Sequence, residues 1–228
     1  LESSRNSFGE NVRRDLPDLA FGFGDLDLKI IIHIQEKQNG VGDAIHTALS
    51  GINGPFLVLL GDNIFLKEHI GPLFSGPENA SSLCHEMVKT FEKNGKPIVG
   101  AYSVSDEEIV KYGSIGMNDG MVTEILEKAP PENAPSSLIL CGRYLLDENA
   151  KNILEDCWDE SSPELLSIAM LRRYMETSGL MGMVFDDYQM YDSGDPLSWM
   201  KSQIDHALRR EDMGGFREWL KLKIRNLE

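Results

Sequence analysis

The stretch PFLVLLGDNIFL, residues 55–66, sets six apolar residues in a row and then stops on Gly61, Asp62 and Asn63. A short continuous apolar run bounded by turn residues is the pattern of a strand buried inside a covered sheet. An aspartate at the tip of such a strand costs free energy unless it is paired or bound to a metal. Two readings of Asp62 stand at this point. It caps the following turn, as Asp and Asn often do, or it offers oxygen to a cation.

Working outward, LKIIIHIQE (28–36) is dense in β-branched residues and of strand length, with His33 as an ordinary strand histidine. After KQNGVG the spacing of Ala44, Ile45, Ala48 and Leu49 has the period of a helix ending near Gly51. PFLVLL follows as a strand, and Leu83, Met87, Val88 and Phe91 mark a helix that stops at KNGKP (93–97). IVGAYSV (98–104) is the next strand. Strands alternating with helices imply crossover units, so the expected fold is α/β: a Rossmann-like mixed, mostly parallel sheet flanked by helices. In such sheets ligands gather beyond the carboxyl ends of the strands, where Asp62 and the Gly40–Asp43 turn both fall.

The second half reads as further strands, KYGSIGM (111–117), MVTEILEKA (121–129), SSLILCGRYLL (136–146) and LMGMVFDDYQMYDSG (180–194). Helical patterns over 165–175 and 197–208 lie between and after them, and residues 214–228 close the chain as an amphipathic helix. The whole of 1–228 is expected to be a single domain, large enough for one core.

The charge balance excludes some partners. With 22 Lys and Arg against 37 Asp and Glu, a net charge of −15 repels nucleic acid and anionic lipid. No apolar run approaches the ~20 residues a membrane helix needs, and no secretion leader is visible, so a cytoplasmic protein is expected. Cys84, Cys141 and Cys157 have no zinc spacing and read as reduced thiols.

A second aspartate changes the weight on the first. In YDSGD (191–195) strand residues again run into a carboxylate, Asp192, followed by a helix that starts near Pro196. Two strand-end carboxylates can share one Mg²⁺, an ion that keeps waters and substrate phosphates as its other ligands. Two unrelated turns would read the same way. Glu127 and Lys128 end another strand. They are a solvated surface pair or, in a chain this acidic, a local grip on a phosphate.

Taken in order, Gln35 with Gly40 five residues on, GVGDAI (40–45), LLGDNIF (59–65), YGSI (112–115), ILEKA (125–129), APSSLILCGRYLL (134–146) and YDSGD resemble the sugar-1-phosphate nucleotidyltransferase family. Within it the likeness is to the uridylyltransferases acting on UTP and glucose 1-phosphate, whose pattern includes a GLGHA turn, an EKP and a VGRYVL stretch. The thymidylyltransferases share the GDNIF. The resemblance implies that Gln35 and the backbone at Gly40 read the pyrimidine base, and that Asp62 and Asp192 hold Mg²⁺. It further implies that Gly113, Glu127 and Gly142 contact the hexose and Lys128 its phosphate, with Lys128, Asp62 and Asp192 as the catalytic set. The implied partners are UTP or dTTP and a hexose 1-phosphate, and the implied assembly is a homo-oligomer.

The family's G-x-G-T-R…P-K loop, which wraps the triphosphate, has no counterpart in this sequence, and ESSRNSFGENV (2–12) resembles the segment just after the family's second strand. The N-terminal portion of the fold is therefore expected to be missing and the 228-residue chain incomplete for catalysis. Ala129 stands where the family has the proline of EKP, Asp43 where it has histidine, and SSPELLS (161–167) where it has EIQLTD. An alternative reading is a non-catalytic homologue that binds an NDP-sugar and regulates.

Overall fold

The computed structural model describes residues 31, 33–69, 82–158 and 167–226. In chain order the elements are α1 (Val41–Ala48), β1 (Phe56–Leu59), β2 (Asn63–Leu66), α2 (Leu83–Asn94), β3 (Ile98–Ser103), α3 (Asp106–Ile109), β4 (Gly113–Asn118), β5 (Met121–Glu127) and β6 (Leu138–Leu146). After these come α4 (Ala150–Asp156), α5 (Ser167–Glu176), β7 (Met181–Val184), β8 (Gln189–Asp192), α6 (Pro196–Arg209) and α7 (Gly214–Arg225).

Among the described residues a six-stranded sheet has the order β1-β6-β3-β7-β5-β4, and β2 pairs with β8 in a separate ribbon. The expected mixed α/β architecture is present, with one correction to strand direction. β1, β3, β4 and β7 run one way, but β6 enters reversed between β1 and β3, and β5 runs opposite to both β4 and β7. Hydrogen-bonded neighbours are therefore antiparallel except β3 with β7. The physical cause is connection: Asp119 and Gly120, both at positive φ, close a tight hairpin between β4 and β5 where a crossover helix would be needed for a parallel pair.

Side-chain alternation puts a core on each face of the sheet. Val99, Tyr144 and Leu146 point into one cluster with Ile45 of α1, Leu154 of α4 and Met170, Leu171 and Tyr174 of α5. Ile98, Cys141 and Leu145 point into the other, with Leu83 and Met87 of α2 and Phe65 of β2. Both faces are thus covered by helices, as continuous apolar strands require. Gly95, in the left-handed region at φ 64, ends α2 by returning its N–H to the Phe91 carbonyl.

Two expectations are corrected. β1 is half-buried rather than buried, with Leu59 53% exposed, because among the described residues it is hydrogen-bonded on one side, to β6. The strand expected over 28–36 lies partly outside the described residues. Its described members, 31 and 33–36, are not in a strand, and Ile31, His33 and Ile34 are exposed, since an extended segment needs a neighbour to take its backbone groups and none of the described strands pairs with it. The expected helices over 165–175, 197–208 and 214–228 appear as α5, α6 and α7. The three cysteines are free thiols. Among the described residues no helix is long and apolar enough to cross a membrane.

Candidate active site

The β2–β8 ribbon builds the centre. Its antiparallel register sets Asn63 opposite Asp192, so Asp62, one residue earlier, falls opposite Ser193, whose N–H donates to the Asp62 carbonyl at 2.8 Å. The two aspartates become diagonal neighbours for that reason, and not because both end strands of the main sheet. A Cβ placed on Gly194 would lie 3.2 Å from Asp62 Oδ2 and 3.2 Å from Asp192 Oδ1. The two oxygens therefore flank one small space that the glycine keeps open.

Asp62 is exposed, and its Oδ1 accepts from the Asn63 side-chain amide at 3.2 Å. The turn at Leu60–Asn63 is closed by backbone, Asn63 N–H to the Leu60 carbonyl, which removes the need for Asp62 to act as the cap. Asp192 is half-buried, and both its oxygens are engaged. Oδ1 accepts from the Gly194 N–H at 3.0 Å and Oδ2 from the Tyr112 phenol at 2.7 Å. Burial, then the bond to Asp192, raises the Tyr112 pKa, so the phenol keeps its proton and donates.

Among the described residues no group of three or more His, Cys, Asp or Glu side chains could enclose a metal ion. The chain's own offer is two hard carboxylates beside an open space. That donor set suits Mg²⁺, which takes one or two protein carboxylates and fills its octahedron with water and phosphate oxygens.

A second group of side chains fixes the Asp62 turn from β6. Arg143 donates to the carbonyls of Leu60 at 3.2 Å, Gly142 at 2.8 Å and Asn63 at 2.5 Å, and its guanidinium stacks on the Phe65 ring. The Gly142 N–H donates to Asn63 Oδ1 at 3.0 Å, and a Cβ on Gly142 would sit 2.6 Å from the Leu60 Cβ. Only a glycine lets the turn lie this close.

Gly113 and Glu127 are register partners across β4 and β5, and the Glu127 carboxylate lies 3.1 Å from where a Gly113 Cβ would stand. Lys128 sits at φ 46, a left-handed backbone uncommon for lysine, with its N–H bonded to the Tyr112 carbonyl at 2.9 Å. Its Nζ is 3.9 Å from Glu127 and its side chain 65% exposed, free to reach an anion. Beneath the site burial pushes the Tyr144 phenol up to about 12, with the charges of Glu127 and Asp62 among the lesser causes.

Asp62, Asp192, Gly113, Glu127, Lys128 and Gly142 are thus tied into one network. Gln35 and Gly40 form a group of their own at the start of α1, with Gln35 Nε2 donating to the Gly40 carbonyl at 3.1 Å and to Asp43 Oδ2 at 2.6 Å. That group is anchored through α1 on α4 and α5. Tyr112, Asn63, Arg143 and Gly194 are members that sequence reasoning missed. For Arg143 a signal was present: a lone cation inside the apolar run LILCGRYLL.

Convergent carboxylates and glycines beside a helix-covered mixed sheet place the chain among α/β proteins that gather ligands at strand ends. The chain belongs to the nucleotidyl transferase family, whose sequence profile matches residues 9–208. It is 29% identical over 194 residues to the UTP–glucose-1-phosphate uridylyltransferase of Staphylococcus epidermidis, covering 82% of this chain and 63% of that one. The Streptococcus pneumoniae enzyme of the same name is 29% identical over 190 residues, covering 80% of this chain and 60% of that one. The chain thus spans less than two thirds of these relatives' length. Among solved structures, UDP-glucose pyrophosphorylase complexed with UDP-glucose superposes with a TM-score of 0.64 at 26% identity, over 77% of this chain and 65% of that one. The pyrophosphorylase of Acinetobacter baumannii superposes over 96% of this chain and 75% of that one with a TM-score of 0.68 at 21% identity, a likeness of fold.

Proposed function

We propose that this chain supplies the metal-holding and sugar-phosphate-binding parts of a nucleotidyltransferase that makes UDP-glucose, or a close NDP-sugar, from UTP and a hexose 1-phosphate. The observation that carries the reading is the convergence of Asp62 and Asp192 on the space beside Gly194, with Lys128 joined to Asp192 through hydrogen bonds of Tyr112 and Glu127 beside Lys128.

In this reading a sugar-phosphate oxygen attacks the α-phosphorus of the triphosphate, the new P–O bond forms as the α–β bridge breaks, and pyrophosphate leaves. The nucleophile is already ionised at neutral pH, so the protein needs no general base, and its contribution is alignment and charge neutralisation. Glu127 accepts from hexose hydroxyls, beside the backbones of Gly113 and Gly142. Lys128 balances the sugar phosphate from its held backbone position. Gln35 and the Gly40 turn meet the base. Mg²⁺, held by Asp62 and Asp192, supplies neutralisation of phosphate charge when bound.

The test is calorimetric binding of UDP-glucose with and without Mg²⁺, alongside pyrophosphate release from UTP and glucose 1-phosphate. Binding that Mg²⁺ strengthens, and that Asp62→Asn weakens by about 10-fold or more only when Mg²⁺ is present, is the expected result. No UDP-glucose binding under either condition would overturn the reading. Binding without turnover fits both a chain incomplete for catalysis and the regulatory homologue, and turnover would exclude the latter.

A further inference from the structure

We infer that Tyr112 is a positioning residue that sets two charged groups of the site at once, Asp192 through its phenol and Lys128 through its main chain, an assignment that deepens and rests on the function proposed above. Tyr112 is itself held firmly. It follows α3 directly, and its N–H returns to the Ile109 carbonyl at 3.1 Å, so the ring leaves a fixed point just before β4. From there the hydroxyl crosses eighty positions of sequence to reach Asp192 Oδ2 at 2.7 Å.

The other oxygen of that carboxylate accepts from Gly194 N–H, so Asp192 is pinned at both ends and cannot rotate about its terminal bond. Pinning matters because Asp192 Oδ1 is the oxygen that flanks the space shared with Asp62 Oδ2. A carboxylate aimed in advance loses less orientational freedom on meeting a cation, and bonds behind metal ligands are worth about 10- to 100-fold in affinity. On the main-chain side, the Tyr112 carbonyl takes the Lys128 N–H at 2.9 Å and so holds the lysine in its left-handed backbone at the end of β5. One residue therefore couples the aim of the carboxylate to the placement of the cation across the site.

Removing one oxygen separates these roles. Tyr112→Phe deletes the phenol donor but leaves the ring and the carbonyl bond to Lys128, whereas Tyr112→Ala also removes the half-buried ring. Mn²⁺ serves as the probe, its free and bound forms counted by electron paramagnetic resonance on the full chain without nucleotide. The expected result for Tyr112→Phe is Mn²⁺ binding weakened about 10- to 100-fold, with a fall in Tm clearly smaller than that of Tyr112→Ala.

Equal Mn²⁺ affinity in wild type and Tyr112→Phe would overturn the inference. So would a fall in Tm as large as that of Tyr112→Ala, because the phenol would then serve the fold. A wild-type chain with no Mn²⁺ site overturns it as well. A wild type that binds Mn²⁺ but not UDP-glucose defeats the proposed function alone, while the Mn²⁺ comparison still decides the role of Tyr112.

Discussion

The Asp62 turn and the Asp192 turn face each other across Gly194, yet they are held by opposite means. At Asp62 the main chain is clamped: Arg143 grips the carbonyls of Leu60 and Asn63, Ser193 grips that of Asp62, and the carboxylate itself touches a neighbouring amide. At Asp192 the carboxylate is clamped at both oxygens, and the chain then enters α6 through Asp195, which caps the Leu197 and Ser198 N–H groups. One carboxylate is placed by its backbone and left free to turn. The other is aimed by its own hydrogen bonds.

Different substitutions should therefore break the two sides. The largest effect is expected at Arg143→Met, which keeps the stem packed but takes three donors from the carbonyls of Leu60, Gly142 and Asn63. Charge-assisted bonds to half-buried carbonyls put the loss at about 3 kcal/mol, read by urea unfolding. Arg143→Lys should recover little, since an ammonium cannot span carbonyls that the planar guanidinium reaches together. Unchanged stability in Arg143→Met would mean that the β2–β8 register alone holds the turn.

Gly142→Ala comes next. Its new methyl would stand 2.6 Å from the Leu60 Cβ, an atom next to the backbone that cannot swing aside. Overpacking of this kind costs about 2 kcal/mol. It should also push the Asp62 turn off its Gly142 N–H to Asn63 bond, so Mg²⁺-dependent UDP-glucose binding should fall while the Asp192 side stays intact. Full binding in Gly142→Ala, measured by calorimetry, would show that the turn has slack.

The same contrast explains what could be read from sequence. PFLVLL announced a strand because an unbroken apolar run has few alternatives, and YDSGD announced a strand running into a helix because Asp and Pro mark the start. That Asp62 and Asp192 meet depends on the β2–β8 register, and no local pattern fixes a pairing between segments so far apart. What Tyr112 and Arg143 hold was hidden for a related reason: Asp192 and Asn63 lie about eighty positions away from them, whereas periodicity reports on neighbours. The reversal of β6 was equally silent, since apolar runs carry no direction.

The smallest effect tests whether the tie between the two turns extends along the ribbon. Beyond β2, His69 meets His206 of α6 with their Nδ1 atoms 3.1 Å apart, and Tyr191 of β8 lies against the His69 ring. Burial lowers both imidazole pKa values. The nearby charges of Arg209 on His69 and Arg210 on His206 add to this, and Asp205 and Asp212 oppose it. A base whose pKa is lower folded than unfolded binds fewer protons in the native state, so stability is full above the unfolded value, ~6.5, and declines as pH falls below it toward the folded values. Asp205, kept low by Tyr191 and Arg209 against the pull of burial, stays ionised through that window. Tm should therefore slope downward from pH 7 to pH 5.5, by a few degrees because both rings are mostly solvated. His206→Asn keeps a donor for His69 but cannot titrate, and should make the slope in scanning fluorimetry shallower, with His69 supplying the remainder. An equal slope in the variant would place the pH sensitivity elsewhere and leave the far end of the ribbon untied to α6.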